Sequence, residues 1–587
     1  MFKLLKKLKK KDWLLILLST ALIVFQVWLD LKLPDYMSQI TQLVQTEGNQ
    51  VSEILVEGSK MLLCALGSLA SAVVVGYIAS YIAASFSKTL RKDIFEKVEN
   101  FSEGEVKKFS TSSLITRTTN DVTQIEMLVA LGLQLLIKAP ITAVWAVSKI
   151  LNKSWQWSAV IGGGVLILLI TLIFLMLIVL PRFKIVQKLL DKINGVTREN
   201  LTGIRVVRAF NAEEYQEEKF AKVNNKLTGT QLFNQRMFGI MQPVMYLIMY
   251  FSTLAIYFIG SYMIDAALMS EKVAIFGDMV VFSSYGMQVI MSFLMLAMIF
   301  IMYPRAAISA DRINEVLDEE FAIIDGTVTE SDPKLKGTVE FKDVSFKYPD
   351  ADEYILKDIS FKANRGETIA FIGSTGSGKS TLINLIPRFY DATDGEIIID
   401  GVNVKDYKLE YLHNKIGYIP QKAVIFSGTV AENVSYGDNG KEEVTRDEIK
   451  KAIEIAQGAY FVEKMPDKYD SYLAQRGTNI SGGQKQRISI ARAIARNPEI
   501  YIFDDSFSAL DYKTDFTLRK ELKEHTKDAT TFIVAQRIGT IMNADKIIVL
   551  DQGSCVGMGT HEELLKTCDV YKEIALSQLS EEELNNA

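Results

Sequence analysis

Gly373-Ser374-Thr375-Gly376-Ser377-Gly378-Lys379-Ser380 follows a short apolar run, Thr368–Ile372, and opens a stretch that reads as helix. This is the full G-x-x-x-x-G-K-[ST] spacing of a P-loop, set between a strand and a helix as its mechanism requires. The glycines let backbone N–H groups curl around phosphate, and the following helix start adds positive potential. Lys379 is suited to neutralise the β- and γ-phosphates of a nucleotide, and Ser380, followed by Thr381, to bring a hydroxyl to Mg2+. A second apolar run, Ile500–Phe503, ends in Asp504, suited to hold the same Mg2+. Between the two lies Ile480-Ser481-Gly482-Gly483-Gln484-Lys485-Gln486-Arg487. A helix that begins on a Ser-Gly-Gly turn offers another set of free N–H donors for a γ-phosphate. The implied chemistry is that of a nucleoside triphosphate held with Mg2+.

Such loops need a buried sheet behind them. From about Asp318 onward the chain reads as an ordinary soluble α/β protein, and Val339–Tyr348 alternates as a strand should. The first half is different. From Trp13 to about Tyr303 long apolar runs alternate with polar stretches, so the overall 49% hydrophobic content and mean hydropathy of +0.14 average two unlike halves. At 587 residues the chain exceeds one core, and at least two domains are expected. A net charge of −5, without a late basic patch, gives no reason to invoke nucleic acid as a partner. Cys64, Cys555 and Cys568 are too few and too scattered for a disulfide framework or a metal site. Lys3, Lys6, Lys7, Lys9, Lys10 and Lys11 precede an apolar run with no small-residue cleavage site, which suits a retained first span.

A bilayer core takes about 20 mostly apolar residues in helix. Six segments qualify, at about 13–33, 58–86, 128–150, 157–181, 239–262 and 276–303. The N-terminal lysines, set against a loop from Pro34 to Glu57 without Lys or Arg, put the N-terminus in the cytoplasm. An even number of spans returns the chain to that side. The stretches 87–127 and 182–238 are charged and helix-like, and are expected to protrude as cytoplasmic hairpins that could transmit motion from an ATPase. Twelve of the 20 methionines fall between Met237 and Met302, with Met237, Met241, Met245 and Met249 at four-residue spacing and Met287, Met291, Met295, Met298 and Met302 similar. Such stripes are either packing or an adaptable surface for varied apolar ligands. Lys138 lies inside the third span, where a charge costs roughly 2.5–3.5 kcal/mol on insertion scales. It is expected to face a wet cavity or to snorkel to a boundary.

Ile480–Arg487 resembles the signature motif of the ABC ATPases, and the rest of that family's pattern follows in order. Tyr348 resembles the A-loop aromatic that stacks on adenine. Gln421, in Tyr-Ile-Pro-Gln, looks like the Q-loop glutamine that senses Mg2+ and contacts the membrane domain. Ser508-Ala-Leu-Asp511 resembles the D-loop, and Gln536 occupies the switch-histidine position. The resemblance covers essentially the whole chain and implies a half-exporter. Residues 1–320 would form a membrane α-helical domain of six transmembrane helices, 321–336 a linker, and 337–587 an α/β P-loop NTPase domain using ATP and Mg2+. It implies a multi-pass protein of the cell membrane, with N-terminus and ATPase domain cytoplasmic. Nucleotide contacts would come from Tyr348, the loop Gly373–Thr381, Ser481, Gly482, Gly483, Gln484 and Asp511. Metal contacts would come from Ser380, Gln421 and Asp504, and catalytic groups from Asp505, Gln536 and Gln421.

Two of these positions depart from the family pattern, and both concern hydrolysis. After Asp504 the family has glutamate as the base that polarises water; here Asp505 is one methylene shorter. A misplacement near 1 Å can cost on the order of 10²-fold in rate. Gln536 can donate a hydrogen bond but cannot become cationic beside a γ-phosphate. Gln475, just before the signature, replaces an acid common there. In this family two ATPase domains sandwich two ATPs, each between one P-loop and the opposite signature. An intact Ser481-Gly-Gly-Gln484 beside a weak catalytic pair implies a second, non-identical half-transporter that carries the glutamate and histidine. The implied function is ATP-driven efflux of amphiphilic compounds or drugs from a membrane lipid setting, similar to bacterial heterodimeric multidrug exporters. A lipid or peptide exporter is the second reading, although no peptidase segment or Cys/His pair supports peptide processing. The third is an ATP-gated regulatory subunit with little hydrolysis. The fused spans exclude a soluble import ATPase.

Overall fold

The computed structural model describes residues 1–46, 49–151, 154–269 and 271–578; the end of the expected ATPase domain, 579–587, lies outside the described residues. The chain divides into two compact units, Met1–Glu99 with Ser112–Glu319, and Asn100–Thr111 with Glu320–Ala587.

The first unit is helical. After α1 (Phe2–Leu5) come α2 (Lys10–Gln45) and α3 (Val51–Glu99); α4 (Glu103–Phe109) belongs to the other unit. α5 (Thr111–Thr116) runs through a π turn, Arg117–Asp121, into α6 (Val122–Leu151). α7 (Trp155–Thr202), α8 (Ile204–Ala209), α9 (Glu213–Ala266) and α10 (Lys272–Asp318) complete the unit. Among the described residues six helices are long and apolar enough to cross a membrane, on α2, α3, α5–α6, α7, α9 and the Lys272–Leu296 part of α10. In lipid the helix is the natural solution, because it satisfies every backbone polar group within the segment. Pro34, Pro140, Pro181, Pro243 and Pro304 all sit inside helices, which membrane surroundings tolerate better than water does.

Close approach holds these helices together, since lipid is as apolar as leucine. A Cβ at Gly286 would lie 2.6 Å from the Ile161 side chain, so the glycine lets α10 press against α7. Trp157 and Phe282 meet at 5.2 Å between ring centroids within the same buried cluster. The methionine stripe divides. Met245 and Met249 are buried, whereas Met287, Met291 and Met298 are exposed.

Lys138 Nζ pairs with Asp30 Oδ2 of α2 at 3.1 Å. Lys149 Nζ pairs with Asp35 Oδ2 at 3.0 Å, and the Tyr285 hydroxyl donates to Asp35 Oδ1 at 2.7 Å and to Leu31 O at 2.9 Å. Ser68 donates to Asp30, and Gln288 Nε2 to the Asp30 carbonyl at 3.4 Å. Two rungs of opposite charge therefore tie α2 to α6 and α10.

The second unit is α/β. A four-stranded antiparallel sheet has the order β2-β1-β4-β5, from β1 (Val339–Phe346), β2 (Leu356–Ala363), β4 (Asp394–Ile399) and β5 (Val402–Asn403). A six-stranded sheet has the order β12-β11-β3-β10-β9-β6, from β3 (Thr368–Gly373), β6 (Ile416–Ile419), β9 (Ile500–Asp504), β10 (Thr530–Val534), β11 (Lys546–Asp551) and β12 (Ser554–Gly559). β7 (Gly428–Thr429) and β8 (Tyr472–Leu473) make a small ladder apart. β3, β6, β9, β10 and β11 run parallel, and β12 closes one edge antiparallel. Every residue of β9 and β10 is buried, as strands covered on both faces should be. Register brings Val534 level with both Asp504 and Phe371, and Ile419 level with Phe503. The residues that follow β3, β6, β9 and β10 thus leave the same edge of the sheet, where open α/β sheets bind their ligands.

Candidate functional site

β3 delivers the chain into Gly373–Ser380, and α11 (Lys379–Asn384) follows. Gly378, at φ 94°, caps that helix; a Cβ there would be strained and only 2.7 Å from Leu356 Cδ2. Ser374, Thr375 and Gly376 are exposed, and Ser377 is buried. Lys379 Nζ donates to the carbonyls of Gly373 at 2.9 Å and Ser374 at 2.7 Å. Burial lowers the pKa of that ammonium, and the nearby Asp505 and Asp504 carboxylates partly oppose the shift. An anion in the loop would have the same charge-stabilising effect.

Ser380 Oγ donates to Asp504 Oδ1 at 2.8 Å, which sets a hydroxyl and a carboxylate side by side. Burial raises the pKa of Asp504, the charge of Asp505 adds to the rise, and Ser380 and Lys379 offset part of it. A carboxylate so destabilised has most to gain from a divalent cation, and a hydroxyl with one acid and added waters and phosphate oxygens is the ligand set Mg2+ prefers. Among the described residues there is no group of three or more His, Cys, Asp or Glu that could hold a metal ion.

Asp505 follows β9 in a left-handed conformation, φ 46°, with its N–H donated to Val534 O at 3.0 Å. Its Oδ2 accepts from two neutral amides, Gln421 Nε2 at 3.1 Å and Gln536 Nε2 at 2.9 Å. The loops after β6, β9 and β10 therefore meet on one oxygen atom. Gln578, beyond the last helix of the fold, was not picked out by sequence reasoning. It donates through Nε2 to Gln536 O at 2.7 Å and accepts through Oε1 from Ile538 N at 2.8 Å. No local signal marks a glutamine at that position, because the contact joins residues 42 apart. An open cavity adjoins Asp505, Ser508, Gln536, Arg537 and Gln578.

Tyr348 packs edge-on against Phe346 and Tyr390, and its hydroxyl lies 2.9 Å from Thr381 Oγ1. The remaining expected residues stand elsewhere. Ser481 caps the 15-residue helix Gly482–Arg496 and exchanges hydrogen bonds with Gln484, at 2.9 Å from Ser481 N and 3.4 Å to Ser481 Oγ. Gly482 has open space where a Cβ would be, and Gly483 lies near Ala509 O. Asp511 caps the helix Tyr512–His525 by accepting from Thr514 N at 3.0 Å, and that hydrogen bonding lowers its pKa. Among the described residues no hydrogen bond joins Ser481–Gln484 to the P-loop. Gln475 is exposed in a short turn.

Residues 356–508 match the ABC transporter family, and residues 16–293 match the ABC transporter transmembrane region. An uncharacterized ABC transporter ATP-binding protein of Mycobacterium tuberculosis is 40% identical over 522 residues, 88% of this chain and 87% of that one. The chain belongs to the ABC transporter family. A Bacillus subtilis ABC transporter ATP-binding protein is 38% identical over 530 residues, with 89% and 90% covered. A multidrug resistance ABC transporter ATP-binding and permease protein of Lactococcus lactis is 31% identical over 552 residues, with 92% and 90% covered. The solved structure of a bacterial Atm1-family ABC exporter with ATP bound superposes with a TM-score of 0.81 at 23% identity, covering 97% of this chain and 99% of that one. At that identity the likeness speaks for the fold. This ABC transporter is a multi-pass membrane protein of exporter architecture, with a cytoplasmic domain of the class that binds ATP, normally with Mg2+, and hydrolyses it to drive transport. Half-transporters of this layout pair with a partner or dimerise.

Proposed function

We propose that this chain is one half of a heterodimeric exporter of amphiphilic compounds, holding an ATP that it hydrolyses poorly and completing a faster site on a non-identical partner. In this reading Tyr348 stacks on the base and Gly373–Thr381 cradle the phosphates. Ser380, Asp504 and Gln421 hold Mg2+, which when bound neutralises phosphate charge. Ser481–Gln484 and Asp511 face the nucleotide of the partner.

The observation that carries the proposal is the bonding of Asp505. A water-polarising base needs a free, basic oxygen aimed at the water. Here Oδ2 is taken by Gln421 and Gln536 together. An oxygen already bonded to two amides is not free to take a hydrogen bond from an attacking water. The shorter aspartate must also reach further, and Gln536 supplies no positive charge. Transport of amphiphiles is supported by the multidrug resistance name of the Lactococcus lactis relative and by the exposed methionines Met287, Met291 and Met298.

The test is ATP turnover by the purified full-length chain, alone and with its co-purified partner. The proposal expects slow turnover alone and at least tenfold more in the complex. Full-rate hydrolysis by a homodimer would overturn it.

A further inference from the structure

The segment Asn100–Thr111 lies in sequence between two membrane helices but groups with the ATPase unit. Its helix α4 is well anchored there. Ser102 and Glu105 form a capping box, and the buried Glu105 also accepts from Ala322 N at 2.6 Å. Burial alone would raise the Glu105 pKa, but the hydrogen bonds from Ala322 and Ser102 leave it lowered, so the carboxylate stays charged in place. Phe101 stacks on Phe109 at 5.8 Å and meets Phe321 edge-on at 6.3 Å.

One turn on, Lys107 points at the aromatic group around Tyr348. Its Nζ lies 5.3 Å from the centroid of the Tyr348 ring and 5.5 Å from that of Tyr390. It donates to the Tyr390 hydroxyl at 2.9 Å and pairs with Glu103 at 2.9 Å. Tyr348 and Tyr390 stand perpendicular at 5.3 Å, and Tyr348 reaches Thr381 of the phosphate loop through its hydroxyl.

We propose that Lys107 is a positioning residue for the nucleotide base. Its ammonium holds the Tyr348 ring and polarises it, so that base stacking and the docking of α4 on the ATPase strengthen each other. A cation within about 6 Å of an aromatic ring is drawn to the ring's electron density. Density pulled toward Lys107 leaves the rest of the ring poorer and better suited to stack on an electron-rich purine. Coupling of this kind is reciprocal: whatever the docked α4 adds to base affinity, the bound base adds to the docking of α4. The Lys107 side chain is half-exposed, so the effect is modest and falls with salt. The inference rests on the reading of Tyr348 as the base-stacking residue.

The experiment compares ATP with inorganic tripolyphosphate, which carries the charge but no base. Binding of each to the full-length chain is measured by competition against a fluorescent ATP analogue, for the native chain and for Lys107→Met, Lys107→Arg and Tyr348→Ala. The proposal expects Lys107→Met to weaken ATP binding about two- to fivefold, the scale of an exposed cation–π contact. Tripolyphosphate affinity should be unchanged and Lys107→Arg should bind like the native chain. Hydrogen exchange over residues 100–111 should slow when ATP is added to the native chain, and slow less in Lys107→Met. Native ATP affinity in Lys107→Met, alongside a clear loss in Tyr348→Ala, would overturn the role of Lys107 alone. Unchanged ATP affinity in Tyr348→Ala would overturn the base reading beneath it. Equal losses for ATP and tripolyphosphate would also overturn the proposal, because they would make Lys107 part of the phosphate field or of the fold.

Discussion

The half-buried aspartates of the membrane helices and the aspartates of the nucleotide site are satisfied in opposite ways. In the membrane unit Asp30 and Asp35 are matched by lysines from α6, with Ser68 and Tyr285 filling further positions. At the nucleotide site the carboxylates of Asp504 and Asp505 accept from a hydroxyl and two neutral amides, with Lys379 turned to the loop carbonyls. Charge is balanced inside the first unit because lipid offers no water to do it. In the second the imbalance is part of the site, since it suits Mg2+ and phosphate.

The comparison can be sharpened within the ATPase unit, where the largest effect is expected. Ser481→Ala or Gly482→Asp should abolish most ATPase activity of the paired complex, on the scale of 10²–10³ for a lost transition-state donor. Lys379→Ala should leave a measurable fraction at saturating ATP, because it disables a site that is already slow. Equal losses would mean that the two sites fire as one unit. A greater loss from Lys379→Ala would reverse the assignment of the weak site.

Next in size is the inner rung of the membrane unit. Removing one member of a buried ion pair is worth about 3–5 kcal/mol. With side chains 27% and 28% exposed, Asp30→Asn or Lys138→Met should cost less, about 1–3 kcal/mol of stability. Thermal unfolding in detergent should show the double variant losing less than the sum of the singles. Strict additivity would show that the rung carries no coupling.

The smallest effect separates the units by pH. The chain's three histidines, His413, His525 and His561, all lie in the ATPase unit, and burial lowers the pKa of each below the ordinary 6.5. The unfolded chain therefore takes up protons before the folded one does. The stability these groups contribute is complete above about pH 6.5 and is lost as pH falls toward the lowered folded values. Calorimetry at pH 7.5 and 5.5 should move the ATPase transition down by more than the membrane transition. A larger shift in the membrane transition would count against this.

The sequence made some of this readable and hid the rest, for physical reasons. The P-loop, Asp504 and Ser481–Gln484 are legible because backbone geometry and phosphate chemistry demand those residues within a few positions of one another. The six apolar stretches are legible because a bilayer sets their length. The partners of Lys138 and Lys149 were not, since pairing across helices depends on rotation and register that no local pattern encodes. Gln578 escaped for the same reason. Lys107 reads as one charge among many until α4 is folded against Tyr348.

The most direct test of the central claim is to rebuild the catalytic pair. Asp505→Glu with Gln536→His should free the base from the Gln536 amide, extend its reach and restore a cation beside the γ-phosphate. ATP turnover of the full-length chain, measured with Mg2+ at saturating ATP, is predicted to rise at least tenfold over the native chain. Turnover that stays the same or falls would contradict the account, because it would mean that Asp505 and Gln536 are not what makes this site slow.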